Sequence, residues 1–421
     1  MPELFRVVEH TINGAHSREY QTATANGDAD RPRLAVKQYI PLDNPNPQPG
    51  DVTIIGAHAN AFPKVTLPPS CCFKDLSNRW QELYEPLWDE LHKRAAKSGI
   101  RIRSIWIADM WNQGQSGVLN EKILGNDPSW FDNTRDLQAL IDQKRDEMPH
   151  PLVGIGHSMG AAQLTLLALN NPRLLCSLVL LDPVIQPTIT GIGPAVASTA
   201  RRDLWDSRAS AAAKFKQSKF YQTWDPRVLD LWVRYGLRTL PTAIHPSPDP
   251  ATEQRVTLTT SKHQELFTFL RPTYRGDGVP DRDAAVVSRE HPGYPFYRAE
   301  PLHGFKRLPE LRPSVLYVFG DESDMSGPEA RRIKLERTGT GVGGSGGAAK
   351  ERVREVVLDC GHLVAMERVP QCADAIAGFL GAELALWRRE QKEFADKRAR
   401  VSVRDLVMVD EQWKREIKPK I

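Results

Sequence analysis

Apolar positions along the chain recur at two different spacings, which predict strands and helices in alternation. Short aliphatic runs have the length and composition of buried strands, and longer runs with the period of an amphipathic helix lie between them. The predicted strands are Leu4–Thr11, Leu34–Ile40, Val52–His58, Arg101–Ala108, Leu152–Ile155, Ser177–Leu181, Ser314–Phe319 and Arg352–Leu358. The predicted helices are Glu82–Ser98, Trp130–Glu147, Ala161–Asn170, Pro328–Arg337 and Gln371–Phe394.

The order of these elements predicts an α/β fold, in which a mostly parallel eight-stranded sheet has helices on both faces. We expect the first two strands to pair antiparallel and the others to run parallel. Residues 186–310 separate the sixth strand from the seventh and contain helix-like stretches at Ser207–Phe220 and Asp225–Leu240. The predicted organisation is a core at residues 1–185 and 311–395, an inserted helical cap at 186–310, and an exposed, unstructured tail at 396–421.

Composition narrows the class of protein. Of the 421 residues, 40% are hydrophobic and 26% are charged, as in ordinary globular proteins with a large core. The net charge of +4 is small and scattered, so no nucleic-acid partner is expected. No apolar run reaches ~18 residues, so no transmembrane segment is expected. The first residues lack the pattern of a signal peptide, and the five cysteines have neither zinc nor disulfide spacing, which favours an intracellular compartment.

A glycine-rich stretch, Gly339–Gly347, contains the pattern G-x-G-x-x-G at residues 341–346. In dinucleotide-binding folds this pattern follows a strand and opens a helix. Here it follows the charged, helix-like run Arg331–Arg337, so the pattern does not indicate a cofactor site. We interpret it as a flexible loop before the last strand.

The pattern most specific for chemistry is G-x-S-x-G at residues 156–160, which places Ser158 between an apolar strand and a run of strong helix formers. A sharp strand-to-helix turn holds a serine hydroxyl at the end of the strand, where a base can activate it. Gly156 and Gly160 leave the room that such a turn requires. Ser158 is therefore the predicted nucleophile, and the adjacent His157 is predicted to be structural.

A serine nucleophile needs a base and an acid that orients the base. His362 follows the last predicted strand, in the chain order serine, acid, histidine, and is the predicted base. Asp324, after the seventh strand, is the first choice for the acid, although the spacing of its turn is one residue long and Asp321 or Glu322 could serve instead. Asp182, at the end of the sixth strand, is the alternative acid.

The negative oxygen that forms during acyl transfer needs hydrogen-bond donors of its own. The turn that follows the third strand, His58–Phe62, and the residue after the nucleophile are placed to supply them. The backbone N–H groups of Asn60 and Met159 are the predicted oxyanion hole.

With these residues the chain resembles the α/β-hydrolase superfamily over nearly its full length. The matching stretches are His58–Phe62, Asp109–Gly117, Gly156–Gly160, Leu181–Val184 and Gly361–His362. It also resembles, more narrowly, the fungal peroxisomal hydrolases associated with host-selective toxin biosynthesis, through His58-Ala59-Asn60, the loop at Arg331–Gly347 and its last three residues. The resemblance implies a serine hydrolase of fungal secondary metabolism. The α/β-hydrolases in general usually have glycine after this histidine, where the chain has Ala59.

The chain ends in Pro419-Lys420-Ile421, which is similar to the Ser-Lys-Leu peroxisomal import tripeptide. A peroxisomal location is therefore expected, with the import receptor as a partner. A cytoplasmic location is the alternative.

Residues 65–81 interrupt a stretch that relatives join directly, and they contain two of the five cysteines. Their 17 residues correspond to 51 bases, a plausible length for a fungal intron, and their first and last residues are compatible with splice-site codons. We therefore hypothesise a translated, unspliced intron. A genuine surface loop is the alternative.

The predicted function is the hydrolysis of an ester or thioester, acyl-CoA-like or derived from a polyketide or fatty acid, through an acyl-enzyme. The predicted partner in the reaction is a small acyl substrate, and neither a metal nor an organic cofactor is expected. An acyltransferase or lyase could use the same residues. A non-catalytic scaffold with this fold is the alternative of a different class.

Overall fold

The computed structural model describes residues 4–62, 83–188, 191–246, 254–274 and 293–417. Its strands are β1 (Phe5–Asn13), β2 (Arg33–Pro41), β3 (Val52–Ala57), β4 (Ile102–Ala108), β5 (Leu152–His157), β6 (Ser177–Leu181), β7 (Leu204–Trp205), β8 (Leu237–Thr239), β9 (Val256–Leu258), β10 (Arg271–Pro272), β11 (Phe296–Tyr297), β12 (Ser314–Gly320) and β13 (Val353–Leu358). Its helices are α1 (Glu85–Ala95), α2 (Gly114–Leu119), α3 (Trp130–Gln143), α4 (Met159–Asn170), α5 (Ile192–Ala200), α6 (Arg208–Gln217), α7 (Lys219–Gln222), α8 (Pro226–Tyr235), α9 (Lys262–Phe269), α10 (Glu300–Arg307), α11 (Pro328–Arg337), α12 (Val364–Glu367), α13 (Val369–Arg398), α14 (Val403–Val407) and α15 (Glu411–Glu416).

One large sheet contains eight of these strands in the order β1-β2-β4-β3-β5-β6-β12-β13. β2 pairs antiparallel with both β1 and β4, and all other neighbours pair parallel. The predicted sheet is therefore confirmed, and every predicted strand overlaps an observed one. Because parallel neighbours must be joined by crossovers, the connecting helices cover both faces of the sheet.

Two apolar clusters lie on opposite faces of the sheet. Successive residues of β6 alternate between them: Leu178 and Leu180 belong to the cluster that includes α3 and α4, and Val179 and Leu181 to the one that includes α1 and α13. A strand buried on both faces has an almost continuous run of apolar residues. For this reason the central strands can be recognised in the sequence.

The segment between β6 and β12, residues 186–310, holds helices α5 to α10 and two small sheets, β7-β9-β8 and β10-β11. A buried ion pair fixes its last helix to the core. Arg298 Nη1 lies 3.1 Å from Glu300 Oε1, and the same oxygen accepts hydrogen bonds from Ser129 Oγ at 2.6 Å and from the Trp130 backbone N–H at 2.8 Å. Since Ser129 caps α3, this ion pair connects the segment to the large sheet.

The glycine-rich stretch lies between α11 and β13, in the place predicted for a loop. Backbone hydrogen bonds attach it to the residues before β12: the Gly339 N–H donates to the Leu308 carbonyl at 2.9 Å, and the Ser345 N–H donates to the Leu311 carbonyl at 3.0 Å. Glycine is needed at Gly346, where φ is +95°. The interpretation as a loop agrees with the structure, in which these hydrogen bonds connect the loop to the core.

The structure also differs from the expectation at the C-terminus. α13 continues to Arg398, although its last buried residue is Leu384, and α14 and α15 follow in the exposed residues 399–417. The expectation of an unstructured tail is therefore wrong for these residues. The helices in the described ranges include none that is both long and apolar enough to cross a membrane.

Candidate active site

Ser158 lies at the turn between β5 and α4, with φ of +56° and ψ of −113°, a conformation that residues other than glycine rarely adopt. The turn is tight enough to exclude side chains at both flanking glycines. A Cβ on Gly156 would lie 2.7 Å from the backbone of Ala161, and one on Gly160 would lie 2.3 Å from the carbonyl oxygen of Ala57. The structure therefore has the sharp strand-to-helix turn that the G-x-S-x-G pattern predicts.

Ser158, His362 and Asp182 form one chain of hydrogen bonds. His362 Nε2 lies 2.7 Å from Ser158 Oγ, and His362 Nδ1 lies 2.5 Å from Asp182 Oδ2. A carboxylate can only accept, so Nδ1 holds the imidazole proton and Nε2 accepts the serine hydroxyl hydrogen. This is the arrangement in which histidine can remove the serine proton during nucleophilic attack.

Asp182 is fully buried at the end of β6 and is surrounded by donors. Its oxygens accept hydrogen bonds from Ser323 Oγ at 2.5 Å, from the Gly320 backbone N–H at 3.2 Å and from Ser326 Oγ. Burial by itself raises the pKa of the Asp182 carboxyl, but the hydrogen bond and charge of His362, with the two serine hydroxyls, bring the pKa below its ordinary value. Asp182 therefore remains a carboxylate at neutral pH.

Asp324, the first choice for the acid, does not meet His362. Its side chain is exposed in the loop after β12, whose two serine hydroxyls point to Asp182 instead. The other two acids of this loop contact the backbone of Cys360, two residues before His362. Asp321 Oδ1 accepts from the Cys360 N–H at 3.0 Å, and the Glu322 N–H donates to the Cys360 carbonyl at 3.1 Å. The choice of Asp324 is corrected to Asp182, because the loop after β12 supplies donors to the acid rather than the acid.

The turn after β3, His58–Phe62, has most of its amides engaged. Ala59 N–H donates to Tyr84 Oη at 2.9 Å, Ala61 N–H to Gln113 Oε1 at 2.9 Å, and Phe62 N–H to the Ala59 carbonyl at 3.1 Å. No described residue accepts a hydrogen bond from the backbone N–H of Asn60 or Met159. Both predicted oxyanion donors are therefore available to a ligand.

His157 is fully buried behind Ser158 and connects two loops of the site. Its Nε2 donates to the carbonyl oxygen of His362 at 3.0 Å, and its Nδ1 accepts from Tyr84 Oη at 3.1 Å. Tyr84 in turn accepts from Ala59, the neighbour of Asn60. Burial, together with the nearby His362, lowers the pKa of His157 to about 4, so the ring is neutral at physiological pH. This environment supports the structural role predicted for His157.

We expect His157 to make the fold sensitive to mild acid. Its pKa is about 4 in the fold and about 6.5 when unfolded, so between these values the unfolded chain binds the additional proton. Its contribution is therefore intact above pH ~6.5 and is lost as the pH falls toward 4, by about 3 kcal/mol in total. The free energy of unfolding, measured by urea titration from pH 7.5 to 4, should fall less steeply in His157→Gln than in the wild type. Equal slopes for the two proteins would contradict the assignment.

The 186–310 segment reaches the site at several places. Asn60 Nδ2 donates to the Glu265 carbonyl oxygen in α9 at 3.1 Å, and the Asp225 backbone N–H donates to the Met366 carbonyl oxygen in α12, four residues after His362, at 2.8 Å. In addition, the centre of the Phe62 ring lies 5.6 Å from that of Trp224 and 5.7 Å from that of Trp232. The segment therefore contacts both the oxyanion turn and the helix that follows the histidine.

Several residues that build the site escaped the sequence reasoning. Tyr84 and Gln113 act through contacts with residues distant in the chain, for which a single sequence has no signal. Gln113 does lie within the stretch Asp109–Gly117, which was recognised without a role for this side chain. Ser323 and Ser326 lie in the loop that was searched for an acid, and two hydroxyls beside a buried strand end are the signal that could have found them.

Two sequence predictions concern residues outside the described ranges. The import tripeptide, Pro419 to Ile421, and the hypothetical retained intron, residues 65–81, both fall there.

Comparison with known proteins places the chain among α/β-hydrolases. The profile of the "Alpha/beta hydrolase family" matches residues 79–377. The "Type I acyl-CoA thioesterase mpaH'" of Penicillium brevicompactum is 36% identical over 444 aligned positions, which cover 99% of this chain and 96% of the relative. The "Abhydrolase domain-containing protein AFT2-1" of Alternaria alternata is 31% identical over 55% of this chain and 84% of the relative.

A solved structure extends the likeness to the fold. The peroxisomal α/β-hydrolase Lpx1 of Saccharomyces cerevisiae superposes with a TM-score of 0.67 at 15% identity, over 98% of this chain and 100% of Lpx1. The resemblance inferred from the sequence motifs is confirmed by these matches. The chain belongs to the alpha/beta hydrolase family.

Proposed function

We propose that the protein is a serine hydrolase that cleaves ester or thioester bonds, with acyl-CoA thioesters as its substrate class. The observation that carries the proposal is the chain of hydrogen bonds from Ser158 Oγ through His362 to the buried Asp182, at 2.7 and 2.5 Å. The choice of thioester over oxygen ester is supported by the acyl-CoA thioesterase relative, which aligns with nearly the whole chain. A role in fungal secondary metabolism follows from the narrower resemblance in the sequence.

In the first half of the proposed reaction, Ser158 Oγ attacks the thioester carbonyl carbon while its proton passes to His362 Nε2. The carbonyl oxygen becomes negative and is held by the backbone N–H groups of Asn60 and Met159. The tetrahedral intermediate collapses by breaking the carbon–sulfur bond, and His362 returns the proton to the departing sulfur. The products of this half are a free thiol and an acyl group esterified to Ser158.

In the second half, water attacks the acyl-enzyme while His362 removes its proton, and collapse releases the carboxylic acid and restores Ser158. Asp182 stabilises the positive imidazolium in both halves and keeps the proton of the neutral ring on Nδ1. Its hydrogen bonds to Ser323 and Ser326 hold the carboxylate in the orientation that His362 requires.

The 186–310 segment is proposed to act as the cap over this site. Its contacts with the Asn60 side chain and with α12 support that position. A cap excludes bulk water from the acyl-enzyme and shapes the space for the acyl group. We propose that the aromatic rings of Phe62, Trp224 and Trp232, which pack against one another, border the acyl-binding space.

The proposal includes a peroxisomal location and recognition by the import receptor, on the basis of Pro419-Lys420-Ile421.

The test of the proposed function combines a substrate assay with covalent labelling. The purified protein is expected to release free thiol from acyl-CoAs of different chain lengths, measured with a thiol-reactive dye. One equivalent of a fluorophosphonate should abolish this release, with the adduct on Ser158 by mass spectrometry. A folded protein that releases no thiol and takes up no label would overturn the proposal. Release that stops only when another residue is labelled would overturn the assignment of Ser158.

A further inference from the structure

We propose that Gln113 is a positioning residue of the oxyanion hole, which fixes the backbone N–H of Asn60 and couples it to helix α9. This inference rests on the proposed function, since it assigns a role toward the oxyanion that forms there. Gln113 precedes α2 and is completely buried. Its side chain accepts a hydrogen bond from the turn after β3 and donates hydrogen bonds to that turn and to α9.

The first contact is with the turn itself. Gln113 Oε1 accepts from the Ala61 backbone N–H at 2.9 Å, and Gln113 Nε2 donates to Asn60 Oδ1 at 2.6 Å. One side chain therefore makes hydrogen bonds to two successive residues of the turn. The Asn60 N–H belongs to the peptide unit between Ala59 and Asn60. Because Gln113 fixes the Asn60 side chain and the Ala61 N–H that follows, the rotation of this peptide unit is restricted.

These two hydrogen bonds matter because the backbone of the turn is strained. Ala61 has φ of +66°, in the left-handed region that costs a non-glycine residue of the order of 1 kcal/mol or more. Such a conformation persists only where the surroundings enforce it. The hydrogen bond from Ala61 to Gln113 is one of those constraints, since a relaxed Ala61 would turn its N–H away from Oε1.

The second contact of Gln113 is with helix α9. Gln113 Nε2 also donates to Thr268 Oγ1 at 3.2 Å, and the Asn60 side chain, oriented by Gln113, donates to the Glu265 carbonyl oxygen at 3.1 Å. Asn112 reaches the same threonine at 3.1 Å. The position of α9, in the proposed cap, and the direction of the Asn60 amide are thus set by one buried polar network.

A residue that aims an oxyanion donor acts on the transition state more than on the bound substrate. Complete loss of one donor costs about 10²–10³-fold in kcat, so misdirection of one is expected to cost about 10-fold or more. Gln113→Met keeps the length of the side chain and removes its hydrogen bonds. We expect kcat to fall by this factor while KM changes by less than about threefold.

The control is Gln115→Met, the same substitution two residues further on. Its side chain is half-buried and makes no hydrogen bond to another described residue. Its backbone N–H donates to Asp109 Oδ2 at 2.8 Å, a bond that does not depend on the side chain. We expect it to retain the kinetic constants of the wild type. Thermal unfolding of both variants establishes that the kinetics refer to folded protein.

Two inhibitors separate aiming from a general structural role. Ser158 attacks the carbonyl of a trifluoromethyl ketone analogue of acyl-CoA, and the adduct places a negative oxygen in the oxyanion hole. The matching non-hydrolysable thioether binds without forming a negative oxygen. Gln113→Met should lower the affinity for the ketone by the same factor as it lowers kcat, and it should leave the affinity for the thioether unchanged. Equal loss for both inhibitors, or no loss for either, would overturn the inference.

Thr268→Val provides a second variant should Gln113→Met not fold. It removes the contact between Gln113 and α9 without removing Gln113, and it should weaken the ketone selectively, by a smaller factor. Unchanged ketone affinity in this variant would overturn the coupling to α9. If the wild type itself hydrolyses no thioester, the proposed function fails. If it does and Gln113→Met behaves as Gln115→Met, this inference alone fails.

Discussion

Ser158→Ala is expected to lower kcat for acyl-CoA hydrolysis by about 10⁶-fold, because the route through an acyl-enzyme has no other nucleophile. The measurement is thiol release at saturating substrate, with the uncatalysed rate subtracted. Alanine removes the hydroxyl that bonds to His362 Nε2 and leaves the backbone of the turn unchanged, since φ at this position is strained for alanine and serine alike. Substrate binding should therefore persist in the variant, at an affinity close to the KM of the wild type.

The control for this prediction is the combination with His362→Ala. The two side chains act as one unit in the first proton transfer, so each single variant and the double variant should have similar residual activity. Independent effects that multiply in the double variant would contradict a common step. Residual activity of more than about 1% in Ser158→Ala would point to direct attack by water on the thioester.

The strain in the backbone supports the same assignment from a different direction. In the described part of the chain, four residues other than glycine have positive φ, and three of them are Ser158, Asp182 and Ala61. Strained conformations persist where the surrounding structure enforces them, and they concentrate at functional sites. Here they mark the proposed nucleophile, the buried carboxylate that bonds to His362 and the turn that carries a proposed oxyanion donor.

The sequence predicts the sheet well because apolar residues dominate each central strand. β12, for example, is buried along its whole length, so its sequence alone marks it as an interior strand. The ends of helices are less predictable. α13 extends beyond its buried part as far as Arg398, and its exposed turns have no apolar period that would show where it stops.

Within the site, predictability depends on how local the signal is. Ser158 is marked by its own neighbours, since Gly156 and Gly160 are required by contacts inside the turn. The acid is not marked in this way, because carboxylates follow both β6 and β12 and only the packing decides which one reaches His362. Gln113 is less visible still, since its partners lie 52 to 155 residues away in the chain.

Replacement of the acid gives the second large effect, and a matched pair of variants measures it. Asp182→Asn should lower kcat by about 10⁴-fold, because an amide in this position can donate to Nδ1 and so favours the ring tautomer that cannot accept the serine proton. Asp324→Asn, the same change on the exposed side of the neighbouring loop, should leave kcat within about twofold, as surface substitutions usually do.

The comparison requires folded protein, because the amide nitrogen that takes the place of Oδ2 in Asp182→Asn would present an N–H group to the Ser323 hydroxyl in a fully buried place. Hydroxyls can rotate to accept, so part of this cost is recovered. Both variants should therefore be compared at a temperature well below their unfolding midpoints. A large loss in Asp324→Asn, with Asp182→Asn near the wild type, would return the acid to the loop after β12. The expected result instead assigns the orientation of His362 to the strand end that the structure places against it.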